Sequence, residues 1–221
     1  MSSGQLSDKI IKKIPSIEEI SLEILIRAYK NVIKTNQYDV DWEEEQFSSH
    51  LVSFMKKSLL RKKYHLYIGI EKKFLNENEL PIKDNDPKRA PRIDINIASW
   101  KFVKNEESEY FFEAKNLYEN NWNKKVASKY YNRYIDTGIE NFRINKYYNG
   151  SLIGYVLQGN ITIIIDKINI QLKKDRKMNK AVNCLSPIEK IDYIKDFSYC
   201  YESMHNGKDK KLKIKHIFLK F

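Results

Sequence analysis

EYFFEAKNL, residues 109–117, sets a carboxylate and an ammonium two residues apart inside an apolar run. Phe111, Phe112, Ala114 and Leu117 mark a buried strand, yet Glu113 and Lys115 sit in its middle. Side chains alternate along a strand, so Glu113 and Lys115 share one face while Phe112 and Ala114 share the other. A buried carboxylate without a partner is expensive, so Glu113 calls for a cation, a metal or strong hydrogen bonds. Upstream, RIDINI places Asp94 between Ile93 and Ile95, a second acid in an apolar setting. The 18 residues between Asp94 and Glu113 suit two neighbouring antiparallel strands, which would bring two carboxylates and a lysine onto one patch.

Two carboxylates held close repel unless a divalent cation lies between them. Mg²⁺ takes oxygen ligands and leaves its other positions to water and substrate phosphate, and Mn²⁺ can substitute. Such an ion lowers the pKa of bound water and stabilises charge on a phosphodiester under attack. Lys115 beside it could orient or deprotonate the attacking water, or stabilise the developing charge. These are the parts for phosphodiester hydrolysis, with Asp94, Glu113 and Lys115 as catalytic residues. The bland alternative is a sheet with one wet face, in which Glu113 pairs with Lys115 and Asp94 with Arg92.

The elements that must position these residues follow from periodicity. SIEEISLEILIRAYKNVIK has apolar residues at Ile20, Leu22, Ile24, Leu25, Ala28, Val32 and Ile33, and Ser16 suits a helix start. A second helix is expected over about 41–60, with Phe47, Leu51, Phe54, Met55 and Leu59 on one face. YHLYIGIEKKFL (64–75) alternates as a strand, and the polar, Pro-containing residues 76–91 form a loop. Residues 91–102 and 109–117 are two strands joined by KNEESE, residues 122–148 have helical character, and SLIGYVLQG (151–159) is a short buried strand. Ile161, Ile164, Ile165, Ile168 and Leu172 fall at helical spacing despite their β-branching. The C-terminal stretch reads as two strands turned at Asn206-Gly207. That order describes one α/β domain with a mixed sheet: an N-terminal helical extension (1–40), a core (41–159), then a C-terminal helix and hairpin (160–221).

Asp94 followed by Glu113-Ala114-Lys115 resembles the PD-(D/E)xK nuclease superfamily, whose pattern is an aspartate, a spacer of about this length and then Glu-x-Lys on core strands. Ile93 stands where the family's name has proline, and Pro91 lies three residues ahead of Asp94. The resemblance implies a restriction-endonuclease-like three-layer sandwich and Mg²⁺-dependent cleavage of DNA, with RNA left open. It further implies a metal ligand in the carbonyl of Ala114, beside Asp94 and Glu113, and an acid from an upstream helix. Glu44, three residues before Phe47 and seven before Leu51, fits that last position. Defence against foreign DNA in a bacterial cytoplasm, a homodimer, and a partner ATPase or defence-complex subunit are also implied. The other reading kept open is a catalytically inactive nucleic-acid-binding or scaffold subunit.

Charge agrees with a polyanionic partner. Lys and Arg number 40 against 29 Asp and Glu, a net of +11, with a pI near 9.3. After the suspected site, Lys124, Lys125, Lys129, Arg133, Arg143 and Lys146 alternate with Trp122, Tyr130, Tyr131, Tyr134, Tyr147 and Tyr148. Cations for phosphates beside aromatics that stack on bases are the ingredients of a nucleic-acid groove. Arg143, between Phe142 and Ile144, is the leading single choice. His205 and His216 flank the terminal turn and are expected to be structural. Cys184 and Cys200 give neither a disulfide framework nor zinc spacing, as befits a reducing compartment. The sequence offers no transmembrane run, no secretory segment at its start and no Gly-rich phosphate loop, which excludes a nucleotide-driven motor.

Overall fold

The computed structural model describes residues 15–73, 92–101, 106–144, 146–147, 149–174, 184–208 and 210–221. Helix α1 (Ile17–Thr35) starts at a capping box in which Ser16 and Glu19 satisfy each other's backbone amides. It buries Leu22, Ile24, Leu25, Ala28 and Val32, while Ile33 lies 37% exposed. The single helix expected over 41–60 is two: α2 (Glu44–Met55) stops at Lys56, and Ser58 caps the short α3 (Leu59–Lys63). Leu59, expected on the buried face, is 78% exposed because the break turns α3 away. The polar loop expected over 76–91 and the first 14 residues of the expected extension lie outside the described residues.

Among the described residues seven strands form one mixed sheet: β1 (Leu66–Lys73), β2 (Arg92–Lys101), β3 (Glu106–Tyr118), β4 (Gly150–Gln158), β5 (Cys184–Lys190), β6 (Cys200–Asn206) and β7 (Lys211–Lys220). Their order is β1-β2-β3-β4-β7-β6-β5, with β3, β4 and β7 parallel at the centre and antiparallel pairs on both flanks. Strand β5 was not expected. Helices cover both faces. On one, α2 sets Phe47 among Trp42, Tyr155 and Phe221, and Ser48 Oγ lies 2.9 Å from the Tyr155 hydroxyl. On the other, α4 (Ala127–Arg133) runs through a π-helical stretch (Tyr134–Ile139) into α5 (Glu140–Arg143). There Tyr134 stacks on Phe218, which is in register with Gly154, the neighbour of Tyr155. Helix α6 (Ile161–Lys173), capped by Asn160, packs near β5, where Asn169 holds the Ile188 backbone. The structure is thus α/β with helices on each face of a seven-stranded sheet. No helix among the described residues is long and apolar enough to cross a membrane.

The two histidines are joined. Ser203 Oγ lies 2.7 Å from His205 Nε2 and 2.7 Å from His216 Nε2, and His216 Nδ1 lies 2.9 Å from the Tyr134 hydroxyl. All three residues of the Ser–His–His cluster are fully buried. Burial, with Arg143 nearby, pulls His205 down to about 4, and burial holds His216 well below the ordinary histidine range.

A histidine depressed in the folded state is neutral there, so its stability contribution is complete above the unfolded value and declines as protons reach the unfolded chain. Between pH 6.5 and 4, His205 alone should cost the fold about 3 kcal/mol. Urea melts at pH 7, 5.5 and 4 should show this acid limb in the wild type and a shallower one in His205→Gln. Equal slopes would refute the assignment.

Candidate active site at a strand fork

β2 and β3 pair antiparallel from Lys101 and Glu106 to Ile95 and Phe112. β2 then continues against β1 as far as Arg92, while β3 continues against β4 as far as Tyr118. The two strands therefore part after Ile95 and Phe112, one residue short of Asp94 and Glu113. Odd residues of β3 direct their amides toward β4, as Phe111 N–H does to Asn149 O at 3.0 Å. Ala114 and Asn116 accordingly direct theirs into the fork, where a backbone group needs another partner.

Side chains supply those partners. Ala114 N–H donates to Asp94 Oδ2 at 2.6 Å and Asn116 N–H to Glu44 Oε1 at 3.1 Å. The Ala114 carbonyl accepts from Lys115 Nζ at 2.8 Å. The same ammonium donates to Glu113 Oε1 at 2.6 Å, and the Tyr147 hydroxyl donates to Glu113 Oε2 at 3.0 Å. Glu113 and Lys115 form the ion pair of the wet-face alternative, but at 6% and 5% exposed they do not sit on the solvated face it assumes. The side chain of Arg92, Asp94's expected partner in that alternative, lies outside the described residues.

The electrostatics follow from burial beside like charge. Desolvation and then Glu113 push Asp94 up to about 7, with Glu44 adding to the rise, while Lys115 and the Ala114 amide oppose it. For Lys115, burial favours the neutral amine, but Glu113, Asp94 and Glu44 outweigh it and hold the group above the ordinary lysine value. Of the roles expected for it, orienting water and stabilising charge draw on the protonated form that these neighbours favour.

Glu44, at the first turn of α2, reaches the fork but is fully committed: Oε1 to Asn116 and Oε2 to Arg133 at 2.9 Å. Asn116 Nδ2 also donates to the Trp42 carbonyl, which ties the helix entry to β3. Among the described residues, no three His, Cys, Asp or Glu side chains come together closely enough to hold a metal ion. The oxygens gathered at the fork are those of Asp94, Glu113 and the Ala114 carbonyl. Two of them, Glu113 Oε1 and the Ala114 oxygen, already share a single ammonium, which is how oxygen ligands would fit a hard cation; Asp94 Oδ2 instead accepts from the Ala114 amide.

The basic segment divides. Trp122 and Lys125 close a two-residue turn with hydrogen bonds of 3.0 and 2.7 Å, and Asn123 and Lys124 both take positive φ. Lys124, Lys129 and Arg133 are exposed. Lys125 stands over the Tyr118 and Trp122 rings and 3.8 Å from Asp41. Arg133, 6.0 Å from the Tyr130 ring centre, links this cluster to Glu44. Arg143 does not join them: it forms a two-pronged pair with Glu140 and reaches the Asn206 carbonyl at 3.5 Å. Sequence reasoning took Tyr147 for a stacking aromatic and missed its bond to Glu113; no spacing signal could have found it.

The chain matches no known family profile, no curated protein and no solved structure.

A carboxyl raised in the folded state costs stability once ionised, a cost absent below pH 4 and complete above about pH 7. With chelator present, Asp94→Asn should be more stable than wild type at pH 8 by about 2 kcal/mol after solvent screening, with little gap at pH 4. Paired urea melts check this, and a pH-independent gap would contradict it.

Proposed function

We propose that the protein is a Mg²⁺-dependent nuclease of the restriction-endonuclease-like fold that hydrolyses phosphodiester bonds in DNA. The observation that carries the reading is the fork itself. Glu113 and the Ala114 carbonyl converge on one cationic centre, and Asp94, raised to about 7, stands beside them. When bound, Mg²⁺ would supply an activated water and charge stabilisation at the phosphate. Asp94, Glu113 and the Ala114 carbonyl would hold it. Lys115 would orient the water or stabilise charge on the attacked phosphate. Lys124, Lys129 and Arg133 are the exposed cations suited to the nucleic-acid backbone, with Trp122 and Tyr130 beside them.

One observation favours a second reading, a silent nucleic-acid-binding or scaffold domain. The acids of the fork are already satisfied within the chain: Glu113 by Lys115 and Tyr147, Glu44 by Asn116 and Arg133, Asp94 by the Ala114 amide. Incubation with plasmid, linear DNA and RNA, in Mg²⁺, Mn²⁺ or chelator, separates the two. Cleavage should require the metal, and Asp94→Asn or Glu113→Gln should lower it by roughly 10²–10³ with binding retained. Binding should weaken steeply with salt, and Lys124→Ala and Lys129→Ala should each reduce the slope of log K against log salt by about 1. Metal-independent binding with no cleavage of any substrate would leave the scaffold reading.

A further inference from the structure

Lys146 and Tyr147 lie between α5 and β4, and both bear on the acid pair. Tyr147 is buried, edge-on to Phe142 at 5.3 Å between ring centres and tilted against Phe111 at 6.4 Å. Its hydroxyl is the second donor to Glu113, so that carboxylate is held by an ammonium on one oxygen and a phenol on the other. Lys146 Nζ stands 5.0 Å from the centre of the same ring.

Their placement is pinned by the backbone. Lys146 N–H donates to the Asn141 carbonyl at 3.0 Å, and Phe111 N–H donates to the Asn149 carbonyl at 3.0 Å. Gly150 then approaches β3 so closely that a Cβ on it would meet the Phe111 carbonyl oxygen at 2.2 Å. Only glycine allows that approach. The entry to β4 is therefore pressed onto β3 beside Glu113, and Lys146 is carried with it.

A half-buried lysine is costly, and the charges that act on Lys146, set against the Tyr147 ring, are those of the site. Burial and Lys115 pull it down, while Glu113 and Asp94 pull it up. Asp94 and Glu113 carry two negative charges when ionised, against one positive charge on Lys115. Without a metal an anionic substrate would be repelled by that balance, and a second lysine restores neutrality. Surface lysines near the turn at 123–124 cannot do this, because they are exposed to solvent and screened.

We propose that Lys146 is a further substrate-contacting residue, which takes a non-bridging oxygen of the phosphodiester, and that Tyr147 is the positioning residue that fixes Glu113. This rests on the nuclease reading for its rate effects but not for its binding effects.

The test uses the full chain and Lys146→Ala, Lys146→Arg, Tyr147→Phe and, as a surface control, the exposed Lys34→Ala. Three measurements are made: anisotropy of a labelled DNA oligonucleotide in Ca²⁺ and in chelator, single-turnover cleavage in Mg²⁺, and calorimetric Mn²⁺ titration without nucleic acid. Lys146→Ala should weaken oligonucleotide binding about 10-fold and slow cleavage about 50-fold, with Lys146→Arg restoring most of both. Tyr147→Phe should weaken Mn²⁺ binding about 5-fold while leaving oligonucleotide affinity in chelator unchanged. Wild-type oligonucleotide affinity in Lys146→Ala overturns the proposal whether or not the wild type cuts. A wild type that cuts nothing in Mg²⁺ or Mn²⁺ overturns the nuclease reading instead, and the binding comparison still decides the role of Lys146.

Discussion

Once β2 turns away from β3 after Ile95 and Phe112, the amides of Ala114 and Asn116 and the Ala114 carbonyl lose their ladder partners. Left buried and unpaired, each would cost about 1–3 kcal/mol. The fold meets this with side chains from two distant parts of the chain and one neighbour: Asp94 and Glu44 accept from the amides, and the adjacent Lys115 donates to the carbonyl. Polarity is matched at each point, acceptors to N–H groups and a donor to C=O. A frayed strand edge thereby gathers two acids and a base, with Glu113 drawn in through the same ammonium.

Backbone satisfaction does not by itself explain why carboxylates were used. An asparagine at 94 would accept the same hydrogen bond from Ala114 without the desolvation that raises Asp94 to about 7. The buried Glu113–Lys115 pair is likewise weak evidence for stability, because apolar residues of similar volume often serve a fold as well or better. Charge held where neutral groups would suffice is what a site for charged chemistry looks like.

The local half of this site was legible in the sequence. Alternation in EYFFEAKNL put Glu113 and Lys115 on one face, and the spacing from Asp94 matched an antiparallel neighbour. The fork was not legible, because strand parting depends on where β1 and β4 recruit their partners, and no residue between 92 and 112 announces it. Strand β5 was missed for a different reason: CLSPIEK is short, polar and carries a proline, which an edge strand tolerates and a sequence pattern penalises. The turn at Asn123-Lys124 escaped notice because its second residue takes positive φ without being glycine. The Ile-rich α6 was read correctly from helical spacing alone, and the Asn160 cap seen in the structure supports the helix against its β-branched residues.

Arg133 connects the two regions that the sequence presented separately. Its side chain is 50% exposed while that of Glu44 is 13% exposed, so the pair straddles the border between solvent and fork. A surface ion pair of this kind contributes little to the fold, whereas Glu44's bond to the Asn116 amide lies on the inner side and persists without Arg133. A phosphate attracted by Lys124, Lys129 and Arg133 would compete with Glu44 Oε2 for the guanidinium. Occupation of the surface cluster would then free the outer oxygen of Glu44, while its inner oxygen stays on the Asn116 amide. No such coupling runs through Arg143, whose guanidinium is closed off by Glu140 at the other end of the same helical run.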